Sequence, residues 1–587
     1  MKTQKTIPGW GNMFGHSLLP FLLIAAILIS LAGLYLYPSP WEFPMDDTYI
    51  HFVYARNLAG QGRLFFNVPG ETGVGTTSLT WVLLLAGAWR LGVPSHLAAK
   101  IFGLLSLVSA GWGLYLLFCP LLRRLPALAL SLLVTASGHL LWFALSGMET
   151  ALFFALGILA LLLYRERRFV ALGITLGLLA LTRPDGLALC AAIGFVEGSR
   201  RGKDILKTHR ARGSRPTAGW FGNAAWRLPR PAGYLLSLLL CFLVCAPWFG
   251  YLLWRTGHIL PTSAVGKQVS SLIGLRLVVS QNPALSFLAQ FPALAYVSAW
   301  TGYLLEFTLG GMSLPGPGLP VASSPGSPPY HISYLAILFW IVVLLPLLLS
   351  FIQWLRAFLR QQKYYDQQYR PFLAFSAWLV LHNLAYAFFL PIPGTASRYG
   401  VINHLALWLA LLIGLLRLTP RPNWQRGMAL GLLVIAAANT IYWNHVYDAN
   451  LEHMLNVRIA AAQYVRNQFP DVNVAAFDVG VLRFYSQRPI TDLGGLIDPL
   501  LGEVYRSDGH IDRYLAERYV RYVILPGQAG ATEQGWFDFA REMGLTTSPF
   551  FTLHEERVFA IDYQRWLLGY LPTNNYQATV TIYRLEK

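Results

Sequence analysis

Apolar runs long enough to cross a bilayer recur from residue 18 to residue 444, and that pattern restricts most of the chain to a bundle of helices. A bilayer core offers no water to peptide groups, so a spanning segment must satisfy its own N–H and C=O groups. About 20 consecutive apolar residues are the helical form of that solution. Eleven segments fit, at roughly 18–38, 97–118, 126–145, 150–164, 169–182, 186–197, 233–253, 333–355, 371–390, 400–416 and 428–444. The pieces at 150–164, 169–182 and 186–197 are short, as is tolerated where protein or a cavity surrounds a helix. Only 12% of the 587 residues are charged, about half the share of a soluble chain. The formal net charge of +17 would suggest nucleic-acid binding in a soluble protein. Here the basic residues crowd into short loops, so they report topology, and no nucleic-acid partner is expected. Cys119, Cys190, Cys241 and Cys245 lie in or beside apolar runs, which implies neither a disulfide framework nor a metal cluster.

Lysine and arginine set the orientation. Arg123–Arg124, Arg165–Arg168 and the stretches 200–230, 356–370 and 417–426 are basic and are assigned to the cytoplasm. Lys2 and Lys5 precede the first run, and no small-residue cleavage site follows it, so a retained anchor is expected. Eleven crossings then place the N-terminus inside. The twin acids Asp46 and Asp47, the turns 146–150 and 182–186, the segment 254–331 and the loop 391–399 fall outside. A crossing at 76–92 would invert every later loop, so that segment is read as an interfacial helix, as is 268–310. The stretch 316–329 is a Pro/Gly/Ser-rich loop. From 445 the composition turns polar, and VNVAAFDVG, RYVRYVILPG, VFAIDY and ATVTIYRL read as strands with a helix after the first. The expected plan is a membrane domain at 1–444, with a first external loop at 38–96 and an external interfacial segment at 254–331. An extracytoplasmic α/β domain follows at 445–587.

Adjacent carboxylates at a helix mouth are costly near lipid, and each opposes the other's ionisation. Asp46 or Asp47 could take a proton from an attacking hydroxyl, orient a neighbour, or cap the following helix TYIHFVYARNL. The topology leaves few external cations near helix ends, namely Arg56, Arg183, Arg255, Lys267 and Arg398. Such cations can meet an anionic group or simply snorkel to headgroups. Glu149 opens a helix, where its charge suits the dipole. Arg183 and Asp185 read as a pair holding a turn, and Glu306 as solvent-facing on an amphipathic stretch. His51, His139, His382 and His404 lack metal-ligand spacing. No GxxxxGK[ST], GxGxxG after a strand, or GxSxG occurs, so nothing points to nucleotide or acyl chemistry.

The stretch DDTYIHFVYARNLAGQGRLFFNVPGE…GTTSLTW (46–81) resembles the first external loop of the GT-C glycosyltransferases. It is most similar to mycobacterial-type β-arabinofuranosyltransferases, which cap arabinan chains using decaprenyl-phospho-arabinose. The matching parts are Asp46, Asp47, Tyr54, Arg56, Asn57, Phe66, Asn67, Gly70, Glu71, Thr77, Ser78 and Trp81. Downstream, SGMETALF (146–153), LTRPDG (181–186), RTGHILPTSAVGK (255–267) and TASRYGVINHLAL (395–407) look like family segments in the same order, with His258 in place of a usual acid. In the C-terminal part only DVGVLRFYSQRPITDLGGLIDP (478–499) is familiar.

The resemblance implies a GT-C-like bundle of about eleven transmembrane helices in the plasma membrane, with its active site extracytoplasmic. It implies an inverting transfer of a sugar, arabinofuranose first, from a polyprenyl-monophosphate donor to a glycan, lipid or protein acceptor. Asp46 is the expected base, with Asp47 as orienter or alternate base. Arg398 is the first expectation for the donor phosphate, followed by Lys267, His258 and Arg56. Tyr54, Asn57, Glu149, Arg183 and Tyr399 are expected substrate contacts. Paired carboxylates are compatible with a divalent metal, but nothing else completes a site, so the metal is unassigned and no cofactor is settled. A lipid or glycan transporter, which should show inverted repeats and mid-depth charges, and a noncatalytic binder of lipid-linked sugar are the alternatives. The C-terminal domain is open to two roles, holding the acceptor or serving as a structural lid.

Overall fold

The computed structural model describes residues 10–37, 39–210, 230–264, 266–267, 318–321, 330–360, 369–390, 395–418, 422–506, 510–529, 538–561 and 579–586. The expected interfacial segment 268–310, with Glu306 on it, and most of the loop at 316–329 lie outside those residues. The chain is a multi-pass helical membrane protein with a C-terminal sheet domain. Its helices are α1 (Trp10–Leu36), α2 (Asp46–Gln61), α3 (Leu79–Arg90), α4 (Ser95–Leu122), α5 (Arg124–Thr135), α6 (Gly138–Leu145), α7 (Thr150–Glu166), α8 (Phe169–Thr182), α9 (Leu187–Arg210), α10 (Arg230–Thr256), α11 (Tyr334–Arg360), α12 (Arg370–Phe389), α13 (Val401–Arg417) and α14 (Pro422–His453).

Each of the eleven apolar segments is helical. Among the described residues seven helices are long and apolar enough to cross on their own, and α5 with α6, bent by 57°, makes eight. The other three of the expected eleven are helices outside that length-and-apolarity test. They are α7, of 17 residues, α8, of 14, and α9, whose apolar part ends at Glu197. Most of α7 is buried against its neighbours, so its surroundings are protein rather than lipid. The 12-residue α3 is too short to cross.

The change of composition at 445 does not end a helix. α14 continues through a π-helical turn, Met454–Ile459, into α15 (Ala460–Gln468). Polarity there marks departure from the apolar zone, while helical geometry persists. The C-terminal sheet contains β3 (Val474–Ala476), β4 (Ile490–Asp492), β5 (Tyr522–Pro526), β6 (Thr552–Ala560) and β7 (Thr579–Glu586), in the order β4-β3-β5-β7-β6. β1 (Gly318–Val321) and β2 (Tyr330–Ser333) form a separate antiparallel pair. β3 runs parallel to β4 and β5, while β7 is antiparallel to β5 and β6. α16 (Val479–Ser486) crosses from β3 to β4, and α17 (Pro499–Arg506) and α18 (Ile511–Glu517) lead to β5. The three-residue β4 was too brief for its pattern to announce it.

The first loop is what joins the two parts. Phe484 of α16 packs against Tyr49 and Phe52 of α2, with ring centroids 5.5 and 5.8 Å apart. The Asn67 amide exchanges two hydrogen bonds with the Ile490 backbone, at 2.9 and 3.0 Å, as a strand neighbour would. Glu71 holds that turn by accepting from the N–H groups of Phe66, Asn67 and Val68. The FNVPGE turn (66–71) is thus a docking element.

Glycines complete the seam. A Cβ at Gly73 would stand 1.7 Å from the Ile497 oxygen, and one at Gly266 would stand 1.9 Å from the Gly495 oxygen. Both obstacles are backbone, so neither can rotate aside. Gly266→Ala is expected to destabilise the protein by about 1–3 kcal/mol, as overpacking does. A thermal unfolding curve superimposable on the wild type would show that this contact is not tight.

Candidate active site

The twin aspartates have different surroundings. α2 starts at Asp46, and successive side chains on a helix diverge by about 100°, so the pair cannot share one environment. Asp46 is 1% exposed. Its carboxylate accepts from the N–H groups of Gly480 at 2.9 Å and Val481 at 2.7 Å. It therefore caps the start of α16 from across the seam, where a negative charge suits the helix dipole. Next to it Arg458, on the π-helical turn, pairs with Asp478 at 2.7 Å. A pocket of about 20 Å³ lies among Asp46, Asp478 and Arg458, room for about one water.

Burial pushes the Asp46 carboxyl up to about 7, with Asp478 adding to the rise against the pull of Arg458 and the Val481 N–H. Burial raises the Asp478 carboxyl as well. Folding therefore binds protons here. The stabilisation is full below the unfolded carboxyl value of about 4 and is lost as pH rises through about 7. Thermal midpoints should fall between pH 5 and pH 8, and Asp46→Asn should flatten that slope. A slope identical in the variant would assign it to other groups. Asp46→Ala, which strands two buried N–H groups, should cost about 2–4 kcal/mol by the same measurement.

Asp47 lines a cavity of about 340 Å³. Its carboxylate meets the Arg398 guanidinium at 2.6 Å and the Lys267 ammonium at 3.0 Å. Burial alone would raise the Asp47 carboxyl, but Lys267 and Arg398 override it and hold it well below the usual carboxylate range. Arg398 sits at the 3₁₀ turn that leads into α13 and is 4% exposed. Its Nη2 serves Asp47 and, at 3.4 Å, the Tyr399 hydroxyl. Among the described residues nothing accepts from its Nε or Nη1. Buried guanidinium donors without an acceptor are expensive, and an anion in the cavity would satisfy them.

A second charged cluster lies along the same cavity. Arg183 grips Asp185 through Nε at 3.1 Å and Nη2 at 3.2 Å, and reaches the Tyr386 hydroxyl at 2.8 Å. The turn-holding pair is present, and both residues also line the cavity. Tyr386 stacks on Tyr399 with centroids 4.9 Å apart, and the Arg183 guanidinium lies 4.6 Å from the Tyr399 ring centre. Glu149 is 3.3 Å from His51 and 3.7 Å from Arg183. The cavity wall thus carries three carboxylates and three cations, between apolar patches that include Ile50, Met148, Leu260 and Phe389.

Of the residues singled out from the sequence, Asp47, Lys267, Arg398, Glu149, Arg183 and Tyr399 converge on this cavity. Five others do not line it. Asp46 is the α16 cap. The Tyr54 hydroxyl accepts from the Gly75 N–H at 2.7 Å, and Asn57 donates to the Phe65 carbonyl at 2.8 Å, so both organise the loop. Arg56 lies over the Phe484 ring, 5.4 Å from its centre. His258 is exposed. Residues not anticipated are His51, Tyr386, Ser263 and Leu496. His51 was legible, being four residues after Asp47 and hence on its helix face. Among the described residues no group of three or more His, Cys, Asp or Glu is placed to hold a metal ion.

A family model described as "Domain of unknown function (DUF8728)" matches residues 443–583. No curated protein matches the sequence. Among solved structures, the chain is similar to the archaeal oligosaccharyltransferase AglB from Archaeoglobus fulgidus, in complex with an inhibitory peptide and a dolichol-phosphate. That match has 13% identity and a TM-score of 0.48, and covers 88% of this chain and 70% of that one. ArnT from Cupriavidus metallidurans bound to undecaprenyl phosphate matches at 13% identity and a TM-score of 0.48, over 96% and 97% of the two chains. The mycobacterial arabinofuranosyltransferase AftD matches at 14% identity and a TM-score of 0.42, over 97% of this chain and 41% of its own.

Proposed function

We propose that the protein is a glycosyltransferase that moves a sugar from a polyprenyl-monophosphate donor to a hydroxyl of a glycan, lipid or protein acceptor. The observation that carries this reading is Asp47, kept ionised between Arg398 and Lys267 on the wall of a membrane-protein cavity. A carboxylate can remove the proton of an attacking hydroxyl, and the two cations can meet the phosphate that leaves. A single displacement inverts the anomeric centre.

The same contacts explain an order of events. With both cations on it, Asp47 is a poor proton acceptor. A donor phosphate competes for Arg398 and Lys267, and as they turn to it the basicity of Asp47 rises. The base is then strongest when the donor is seated. Asp47, rather than Asp46, is the base in this reading, and Glu149, Arg183 and Tyr399 contact the sugar. The active site and C-terminal domain face the extracytoplasmic side of the plasma membrane, as the distribution of Lys and Arg supports. Arabinofuranose is the first sugar to test, on the motif resemblance.

The test is transfer by the purified protein from a panel of polyprenyl-phospho-sugars to octyl glycosides. Formation of a glycosylated product with released polyprenyl phosphate is expected. Binding of the lipids with no turnover would favour a noncatalytic binder.

A further inference from the structure

We infer that the acceptor subsite lies where the C-terminal domain meets the cavity, and that Ser263 and Leu496 shape it; this rests on the glycosyltransferase reading above. Three backbone segments meet there. The Val74 N–H donates to the Thr262 hydroxyl at 3.0 Å, and the Thr262 N–H donates to the Val74 carbonyl at 2.9 Å. Gly73 and Gly75 lie against the backbone of Leu496 and Ile497, and Gly266 against that of Gly495. The loop after β4 therefore packs against both membrane-domain segments, and Gly75 of the one and Ser263 of the other line the cavity.

That loop is built to hold its shape. The buried Asp492 carboxylate accepts from the N–H groups of Gly494, Ile497 and Asp498. Gly495 adopts φ +67°, the left-handed region that a side chain disfavours. Leu496 projects from the loop onto the cavity wall. It is the C-terminal domain's one contribution to that wall among the described residues.

Ser263 supplies the polar side. It is 3% exposed, lines the cavity, and its Oγ has no hydrogen-bond partner among the described residues. Lys267, four residues later and also on the wall, reaches Asp47. A hydroxyl bonded to Ser263 thus belongs to a molecule beside the base. An apolar side chain and an unpartnered hydroxyl in one cavity lining suit a sugar ring, whose C–H face can lie on Leu496 while its hydroxyls bond to Ser263 and Thr77. The lipid-linked donor has its own anchor at Arg398. With Arg398 and Lys267 assigned to the donor phosphate, Ser263, Thr77 and Leu496 are the part of the lining left for the sugar that attacks.

The experiment varies donor and acceptor separately, using decaprenyl-phospho-arabinose and octyl glycosides of arabinofuranose, mannose and glucose, and also measures binding of undecaprenyl phosphate alone. Ser263→Ala should raise the acceptor KM about three- to tenfold, the worth of one neutral hydrogen bond. Leu496→Trp should change the ranking of the three acceptors, and Leu496→Ala provides the same readout should the larger side chain prevent folding. Donor KM and undecaprenyl phosphate affinity should stay within about twofold, below what one such bond supplies. Unchanged acceptor KM and ranking, or an effect on the donor instead, would overturn the assignment. Transfer that survives Asp47→Asn would remove the catalytic reading itself. Loss in Asp47→Asn with silent Ser263 and Leu496 variants would remove the acceptor subsite alone.

Discussion

Asp47→Asn should lower kcat for sugar transfer by about 10²–10⁴-fold, the contribution of a positioned general base. The substitution is nearly isosteric, so the cavity should keep its shape while losing its proton acceptor. Donor affinity should hold or improve, because Arg398 and Lys267 no longer have a competing carboxylate. That split between a collapsed kcat and a preserved donor KM distinguishes a base from a merely structural charge. Asp46→Asn should behave differently. Its carboxylate serves the amides of Gly480 and Val481, so its loss should appear in thermal stability, with a smaller change in turnover. Equal kinetic defects in the two variants would reverse this division of labour.

Arg398→Ala should raise donor KM about 10- to 100-fold, the worth of one or two hydrogen bonds between charged groups. Arg398→Lys should recover only part of this, since an ammonium cannot offer a planar fork to a phosphate. The variant should also change the pH profile of kcat/KM, and the sign follows from charge. In the wild type, Lys267 and Arg398 hold Asp47 ionised to well below the usual range, so Asp47 should produce no acid limb at pH 5 and above. Removing one of those cations lets burial raise its carboxyl. The ionised form is the active one, so rates in Arg398→Ala should fall as pH drops through the new, higher value. An unchanged profile would mean that Arg398 does not set the charge state of Asp47.

The membrane helices were legible because a bilayer imposes length and apolarity, and each expected segment is a helix. Their status as crossings was less legible. Length and composition cannot tell that α7 is wrapped by protein, or that α14 stays helical beyond the polar boundary at 445. In the site, Asp47, Lys267 and Arg398 stood out one by one as charges near helix ends. Their convergence on one carboxylate is tertiary, and no local pattern encodes it. The different surroundings of Asp46 and Asp47 follow from helix phase. Asp47, Ile50 and His51 share the cavity face at i, i+3 and i+4, whereas Asp46 turns to α16. Tyr54, Arg56 and Asn57 drew notice for belonging to the same motif, yet their partners are loop backbone and an aromatic ring. Leu496 could not be foreseen, because only the packing of Gly73, Gly75 and Gly266 brings its loop to the cavity.

The most direct measurement is a structure of the purified protein with undecaprenyl phosphate. The expected result is phosphate density within hydrogen-bond distance of Arg398 and Lys267, with Asp47 released from both. Phosphate bound elsewhere, with the Arg398–Asp47 pair intact, would contradict it.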